Sequence, residues 1–245
     1  MTIDTTNPLL DFSNLPRFDQ IRPEHVTPAI EGLIKDAAAV VAQLEAPSDQ
    51  VTWDSFVVPL EEATERLGRA WGVVNHLNHV ADTPELRAAY NENQPKITEF
   101  WTSLGQSEAL FAKYKLLRAS ADYDSLTPAR KRIVENALRD FRLGGAELPD
   151  DKKERFAEIQ EQQAATSTRF SQNVLDATND YKLLVETEAE LSGVPDDVKA
   201  AARASAEKDG KAGWQFSLHF PSYYPVLQFC DNRALRETIY RASST

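Results

Sequence analysis

The chain has one cysteine and one methionine in 245 residues, and none of its four histidines opens a His-Glu-x-x-His motif. Each shortage excludes something. Cys230 has no partner for an internal disulfide, which suits a reducing compartment. A helical zinc site of the His-Glu-x-x-His type needs two imidazoles one turn apart on one face, with the glutamate acting as general base on metal-bound water. The histidines stand instead in Glu24-His25-Val26, Asn75-His76-Leu77, Asn78-His79-Val80 and Leu218-His219-Phe220. Long apolar runs are also missing, and the N-terminal Met-Thr-Ile-Asp-Thr-Thr-Asn-Pro carries neither the basic nor the apolar region of a secretory signal. The expectation is a soluble cytoplasmic protein with no membrane partner.

Positive charge is in short supply. Lys and Arg number 27 against 38 Asp and Glu, a net charge of −11. Nucleic acid and anionic lipid repel such a field, and no basic run exceeds Arg130-Lys131-Arg132, so no nucleic-acid partner is expected.

What the chain does have is helical periodicity. Residues 1–22 hold Pro8, Pro16 and scattered apolar side chains (Leu9, Leu10, Phe12, Leu15, Phe18, Ile21), the pattern of an ordered, extended arm lying over a core. Thr-Pro then recurs at 27–28, 83–84 and 127–128, each time opening a helical pattern, because the hydroxyl accepts from an orphan amide and proline at the first helical position loses no bond. Five helices are predicted. The first runs to about Leu44 with Ile30, Leu33, Ile34, Ala37 and Val41 on one face, and the second runs from about Thr52 to Val80. The third starts at Thr83 and is expected to kink or break at Pro95, its later half presenting Ile97, Phe100, Trp101, Leu104, Phe111, Tyr114 and Leu117. The fourth runs from Thr127 to the Gly144-Gly145 stop, and the fifth from about Asp150 to Asn179 with Phe156, Ile159, Phe170, Val174 and Leu175.

The period changes near Tyr181. Residues 181–187 read as a strand, and 214–220 alternate, with Trp214, Phe216, Leu218 and Phe220 on one side and Gln215, Ser217 and His219 on the other. Between them, Pro195 to about Lys208 reads as an exposed helix closed by Gly210, so the two strands should pair around a helical excursion. From Asp231 a last helix follows, capped by Asp231 or Asn232, with Leu235, Ile239 and Ala242 on one face and no Gly or Pro to end it. The fold class is mainly α: a helical bundle with a small two-stranded β element and following helices. The expected divisions are an arm over 1–22, a bundle over 23–180 and a small α+β segment over 181–245.

Candidate chemistry is thin. His76 and His79 sit three apart on a predicted helix, close enough to share a metal if a third ligand approached, but equally the spacing of two polar surface side chains. Asp122 with Asp124, Asp150 with Asp151, and Glu61 with Glu62 are carboxylate pairs of the kind that sit solvated in loops or favour helix starts. Cys230, between Phe229 and Asp231, reads as a buried inert thiol. The run Pro221-Ser222-Tyr223-Tyr224-Pro225 suits either a packed turn after a strand or the lining of a peptide channel.

Ordered motifs over almost the whole length resemble one family. Asn7-Pro8-Leu9-Leu10, Leu15-Pro16 with Phe18, and Ile21-Arg22-Pro23-Glu24-His25-Val26-Thr27-Pro28-Ala29-Ile30 are similar to the opening of the thimet-type zinc oligopeptidases, in particular their bacterial members. Thr52-Trp53-Asp54, His76-Leu77-Asn78, Asn136 to Phe141, Phe170-Ser171, Asn173 to Thr178, Gly193-Val194-Pro195, and the stretch from Pro221 to Ala242 extend the resemblance.

The resemblance implies that these helices form one wall of a deep channel. It also implies that a single zinc ion, the His-Glu-x-x-His helix and a third glutamate ligand belong to a C-terminal catalytic domain beyond Thr245, where short unfolded peptides are hydrolysed. No catalytic, cofactor-binding or metal-binding residue of the family maps onto this chain, which is therefore expected to be an N-terminal fragment, inactive alone, with its own catalytic domain as partner. The rival readings are a non-enzymatic helical module holding a peptide or protein, and an unrelated hydrolase using His76, His79 and carboxylates.

Overall fold

The computed structural model describes residues 7–48 and 50–244. It divides into two compact units, Met1–Thr166 and Ser167–Thr245. The expected arm falls partly on residues 1–6, which lie outside the described residues.

In the first unit the arm from Asn7 onward is irregular except for a 3-10 turn at Pro8–Leu10, where the Asn7 side chain accepts from the Leu9 amide at 3.0 Å. Leu9 and Ile21 are buried, and join a core with α1 (Val26–Glu45), α2 (Val58–Val80) and α3 (Pro84–Gly105). Val26, Ile30, Leu67 and Val74 are fully enclosed there, each worth roughly 1.5–3 kcal/mol of transfer free energy. A second core lies under α4 (Glu108–Arg118), the short α5 (Ala121–Ser125) and α6 (Pro128–Leu143), where Phe56, Leu110, Tyr114, Leu117 and Val134 meet.

Local signals explain most boundaries. Thr83 and Thr127 accept from the amides of Leu86 and Arg130 at 3.2 and 3.4 Å, as Thr-Pro openings should. Thr27 does not. α1 starts one residue earlier behind a Pro23–His25 turn, whose His25 Nδ1 accepts from the Arg22 amide at 3.0 Å, and the Thr27 hydroxyl is free to accept from Asn93 at 2.7 Å. After α6, Gly145 takes φ +96° and supplies the left-handed stop.

The expected kink or break at Pro95 is not where the third helix ends. α3 runs through Pro95 to Gly105, and the break comes at Gln106 and Ser107, whose hydroxyl accepts from Leu110 at 3.2 Å and so caps α4. Proline removes one bond, whereas Tyr90, Asn93 and Ile97 on both sides of it are buried in one core and hold the helix together. At the end of α1, the buried Lys113 of α4 donates to the Ala46 carbonyl at 2.6 Å, placing a cation at a helix C-terminus where the dipole favours it.

α7 (Asp150–Asp180) extends from the end of the first unit into the second. None of its described residues is fully buried, and Ile159, Phe170 and Val174 are exposed.

In the second unit β1 (Leu183–Val185) pairs antiparallel with β2 (Trp214–Phe216), Leu183 opposite Phe216 and Val185 opposite Trp214. Between them α8 (Asp196–Lys208) is closed by Gly210 at φ +69°. α8 is not wholly exposed, since Ala202 and Ala206 are buried. The alternation expected over 214–220 stops at Phe216. Gln215 is buried rather than solvent-facing because its amide nitrogen donates to Asp209 at 2.9 Å and to Ser205 at 3.3 Å. Beyond it the Ser217 amide donates to the Ser222 hydroxyl at 2.9 Å, and Pro221 opens α9 (Phe220–Phe229), so Pro221 to Pro225 are helical rather than a turn. α10 (Arg233–Ser244) follows, capped by Asn232, whose side chain accepts from Ala234 and Leu235 at 3.1 and 3.3 Å. Val185, Leu191, Phe216, Val226, Leu235 and Ile239 form this unit's core.

Candidate functional site

The polar residues singled out in the sequence do not converge. His76 lies on α2 with its ring 5.4 Å from that of Phe18, edge to face, while Nδ1 of His79 lies 2.7 Å from the Asn75 carbonyl of its own helix. His25 closes the turn before α1, and the exposed His219 precedes α9. Among the described residues no group of three or more His, Cys, Asp or Glu side chains could hold a metal ion.

The carboxylates serve local structure. Asp122 Oδ2 accepts from the Trp53 amide at 2.8 Å, tying the π turn Trp53–Val57 to α5 across 69 residues of sequence. A spacing rule treats Asp122 and Asp124 as a solvated pair and misses this, because the Trp53 amide becomes its neighbour only through tertiary packing. Asp150 and Asp151 stand in the first turn of α7, where the helix dipole favours them. Glu61 is an exposed residue of the first turn of α2; burial first, and then this carboxylate, push the Tyr114 phenol well above its ordinary value. Lys153 holds Glu108 below the usual carboxylate range through a hydrogen bond. In the second unit Lys182, then Gln215, lower Asp209 by hydrogen bonding.

Cys230 is buried, with Sγ 3.4 Å from the Glu190 carbonyl. The tyrosine run forms a small aromatic cluster: Phe220 stacks on Tyr224 at 4.6 Å, and Tyr223 meets Phe220 edge-on at 6.0 Å. Phe220 is 62% exposed and Tyr223 packs against the core, so the cluster straddles the surface of the unit.

Two of the grooves among the described residues, one in each unit, offer room for a ligand. One, of about 330 Å³ in the first unit, is lined by Trp101, Gly105, Leu143, Gly144 and Phe156. The other, of about 370 Å³ in the second unit, lies along β1 and α10. Neither contains a nucleophile paired with a base, the arrangement that covalent or general-base catalysis requires. The fold and its sites thus define a helical domain with open grooves and structurally employed polar groups.

Residues 30–153 match the family description "Neurolysin/Thimet oligopeptidase, N-terminal domain", and the chain belongs to that family. It is 45% identical over 241 residues to oligopeptidase A of Haemophilus influenzae, a match covering 98% of this chain and 35% of that protein. It is 40% identical over 245 residues to the probable cytosolic oligopeptidase A of Arabidopsis thaliana, covering 97% of this chain and 35% of that protein. Dipeptidyl carboxypeptidase of Escherichia coli is 26% identical over 246 residues, which cover 36% of it. The chain therefore spans about a third of the length of the curated relatives it matches. The resemblance read from the motifs and the mainly α class, with its two-stranded antiparallel sheet, are both upheld. No helix among the described residues is long and apolar enough to cross a membrane.

Proposed function

We propose that this chain is the N-terminal, channel-wall region of a cytoplasmic zinc metallo-oligopeptidase of the oligopeptidase A kind, which hydrolyses short unfolded peptides. The observation that carries the proposal is the match at 45% identity across 98% of the chain to a peptidase of which that stretch is only 35%. In this reading residues 1–22 form an arm, 23–180 the bundle and 181–245 a segment leading into the catalytic domain, which is the chain's natural partner. The acidic net charge of −11 supports a function without nucleic acid.

The donors present do not fit a zinc site. The four histidines are dispersed, one inside a turn, one against Phe18 and one on its own helix's carbonyl, and among the described residues no third ligand stands near His76 and His79. Zinc, which would polarise the scissile carbonyl and activate water, belongs in this reading to the remaining two thirds of the protein. The contribution of the present residues is shape: capped helices held rigid by two cores, able to exclude folded substrates by the geometry of a wall.

Elemental analysis and a turnover assay test this. After dialysis the isolated chain should carry far less than one zinc per molecule and leave quenched-fluorescent oligopeptides intact. One zinc per chain that is lost on changing His76 and His79 to alanine would overturn the reading in favour of a site on this chain.

A further inference from the structure

The described residues contain a single sheet of two strands, paired along one side only. Leu183, Leu184 and Val185 make no backbone hydrogen bond, among the described residues, outside the pairing with β2. An antiparallel strand turns its N–H and C=O groups to either side alternately, so β1 presents unpaired groups along its outer edge, the usual template for an added strand.

That edge is one wall of the 370 Å³ groove, with Leu235 and Thr238 of α10 opposite and Glu186 and Glu190 at its end. The polar groups of the α10 wall are already employed. Asn232 caps the helix through Ala234 and Leu235 at 3.1 and 3.3 Å, and the Thr238 hydroxyl donates to the Ala234 carbonyl at 3.0 Å. The two glutamates differ. Both are exposed, and neither carboxylate has an ion pair or hydrogen bond among the described residues. The cation nearest along the chain, Lys182, is taken by Asp209 at 2.5 Å. The groove thus offers backbone bonding along β1, the small exposed side chains Ala234 and Thr238 of α10, and two free negative charges.

We propose that the outer edge of β1 is a docking site for an extended peptide segment carrying lysine or arginine. The segment adds as a third strand, bonds its backbone to β1, packs an alternate side chain against Ala234 and Thr238 of α10 and places its cation beside Glu186 and Glu190. About three residues suffice to match β1, since a strand rises roughly 3.3 Å per residue. Charge selects this occupant over a second copy: a β1-to-β1 pair would bring the Glu186 and Glu190 carboxylates of both molecules together on chains that each carry −11. The inference stands apart from the peptidase reading, because it needs no hydrolytic step and no residue outside this chain.

The test uses the 245-residue chain and the peptide acetyl-Val-Lys-Val-Arg-Val-amide, followed by backbone amide shifts and by hydrogen exchange at Leu184. The expected result is saturable shifts confined to residues 183–190 and 232–238, with slowed exchange at Leu184. Affinity should fall about tenfold or more for the glutamate-for-cation analogue, and as far when the central peptide nitrogen is methylated, which removes a backbone donor. The double substitution Glu186→Gln and Glu190→Gln should weaken binding severalfold while leaving the remaining amide spectrum unchanged, since both side chains are exposed. Any of three results would overturn the proposal: no shifts with the basic peptide at millimolar concentration, binding indifferent to N-methylation and to charge, or Leu184 already protected in a peptide-free dimer paired through β1.

Discussion

Single residues carry constraints here that composition hides. Gly193 has φ +84°, and a Cβ built there would stand 2.1 Å from the Phe229 carbonyl oxygen. Its neighbour Ser192 explains the crowding: the Asp231 amide donates to the Ser192 carbonyl at 2.7 Å, and the Ser192 hydroxyl bonds the Asp231 carboxylate at 2.7 Å, clamping the end of a 3-10 turn at Glu188–Leu191 to the end of α9. Gly210 also has positive φ, +69°, but nothing lies within 4 Å of its added Cβ. The two glycines therefore separate strain from collision. Gly210→Ala should cost about 1 kcal/mol from the left-handed backbone alone, and Gly193→Ala clearly more, about 3 kcal/mol or above, because backbone must move as well. Urea unfolding of both variants, followed by far-ultraviolet circular dichroism, checks the order; equal losses would mean that the clamp yields easily.

At the scale of elements, much of the fold is legible from local signals and the rest is lost where tertiary contacts overrule them. The helices over α1, α2, α6, α7 and α10 follow from apolar periodicity, with a threonine cap and glycine stop at α6 and an asparagine cap at α10, all of which act within a few residues. Pro95 misleads because the cost of one missing bond is judged without the core that grips both flanks, and the true boundary at Ser107 is signalled by a hydroxyl three residues ahead of Leu110. β2 misleads because alternation continues through Leu218 and Phe220, whereas the chain has already turned at Ser217 to begin α9. Of the candidate sites, the burial of Cys230 is what its apolar setting in the sequence suggests. The groove along β1 is not legible, since it exists only when α10 folds back beside the strand. Ser107 provides the test at this scale. Its hydroxyl caps α4 and donates to Glu45 at 2.6 Å, so Ser107→Ala should lower stability by about 1–2 kcal/mol, read as a shift of the urea midpoint at constant slope.

At the scale of the molecule, the described residues form three cores, two in the first unit and one in the second, with the division at residue 166. The family match over residues 30–153 falls entirely in the first unit, while the similarity to oligopeptidase A extends over nearly the full chain and so takes in both units. Among the described residues no three His, Cys, Asp or Glu side chains gather to hold a metal ion, and the chain covers 35% of that relative. In the proposed function this stretch supplies scaffold to a peptidase whose chemistry resides elsewhere. The most direct measurement exchanges the scaffold: the 241 matched residues of Haemophilus influenzae oligopeptidase A are replaced by this chain, and cleavage of short quenched-fluorescent peptides is compared with the parent enzyme. Cleavage within about tenfold of the parent, a barrier difference of about 1.4 kcal/mol, is the expected result. A folded hybrid that leaves every peptide intact, or an isolated 245-residue chain that cleaves them unaided, would contradict it.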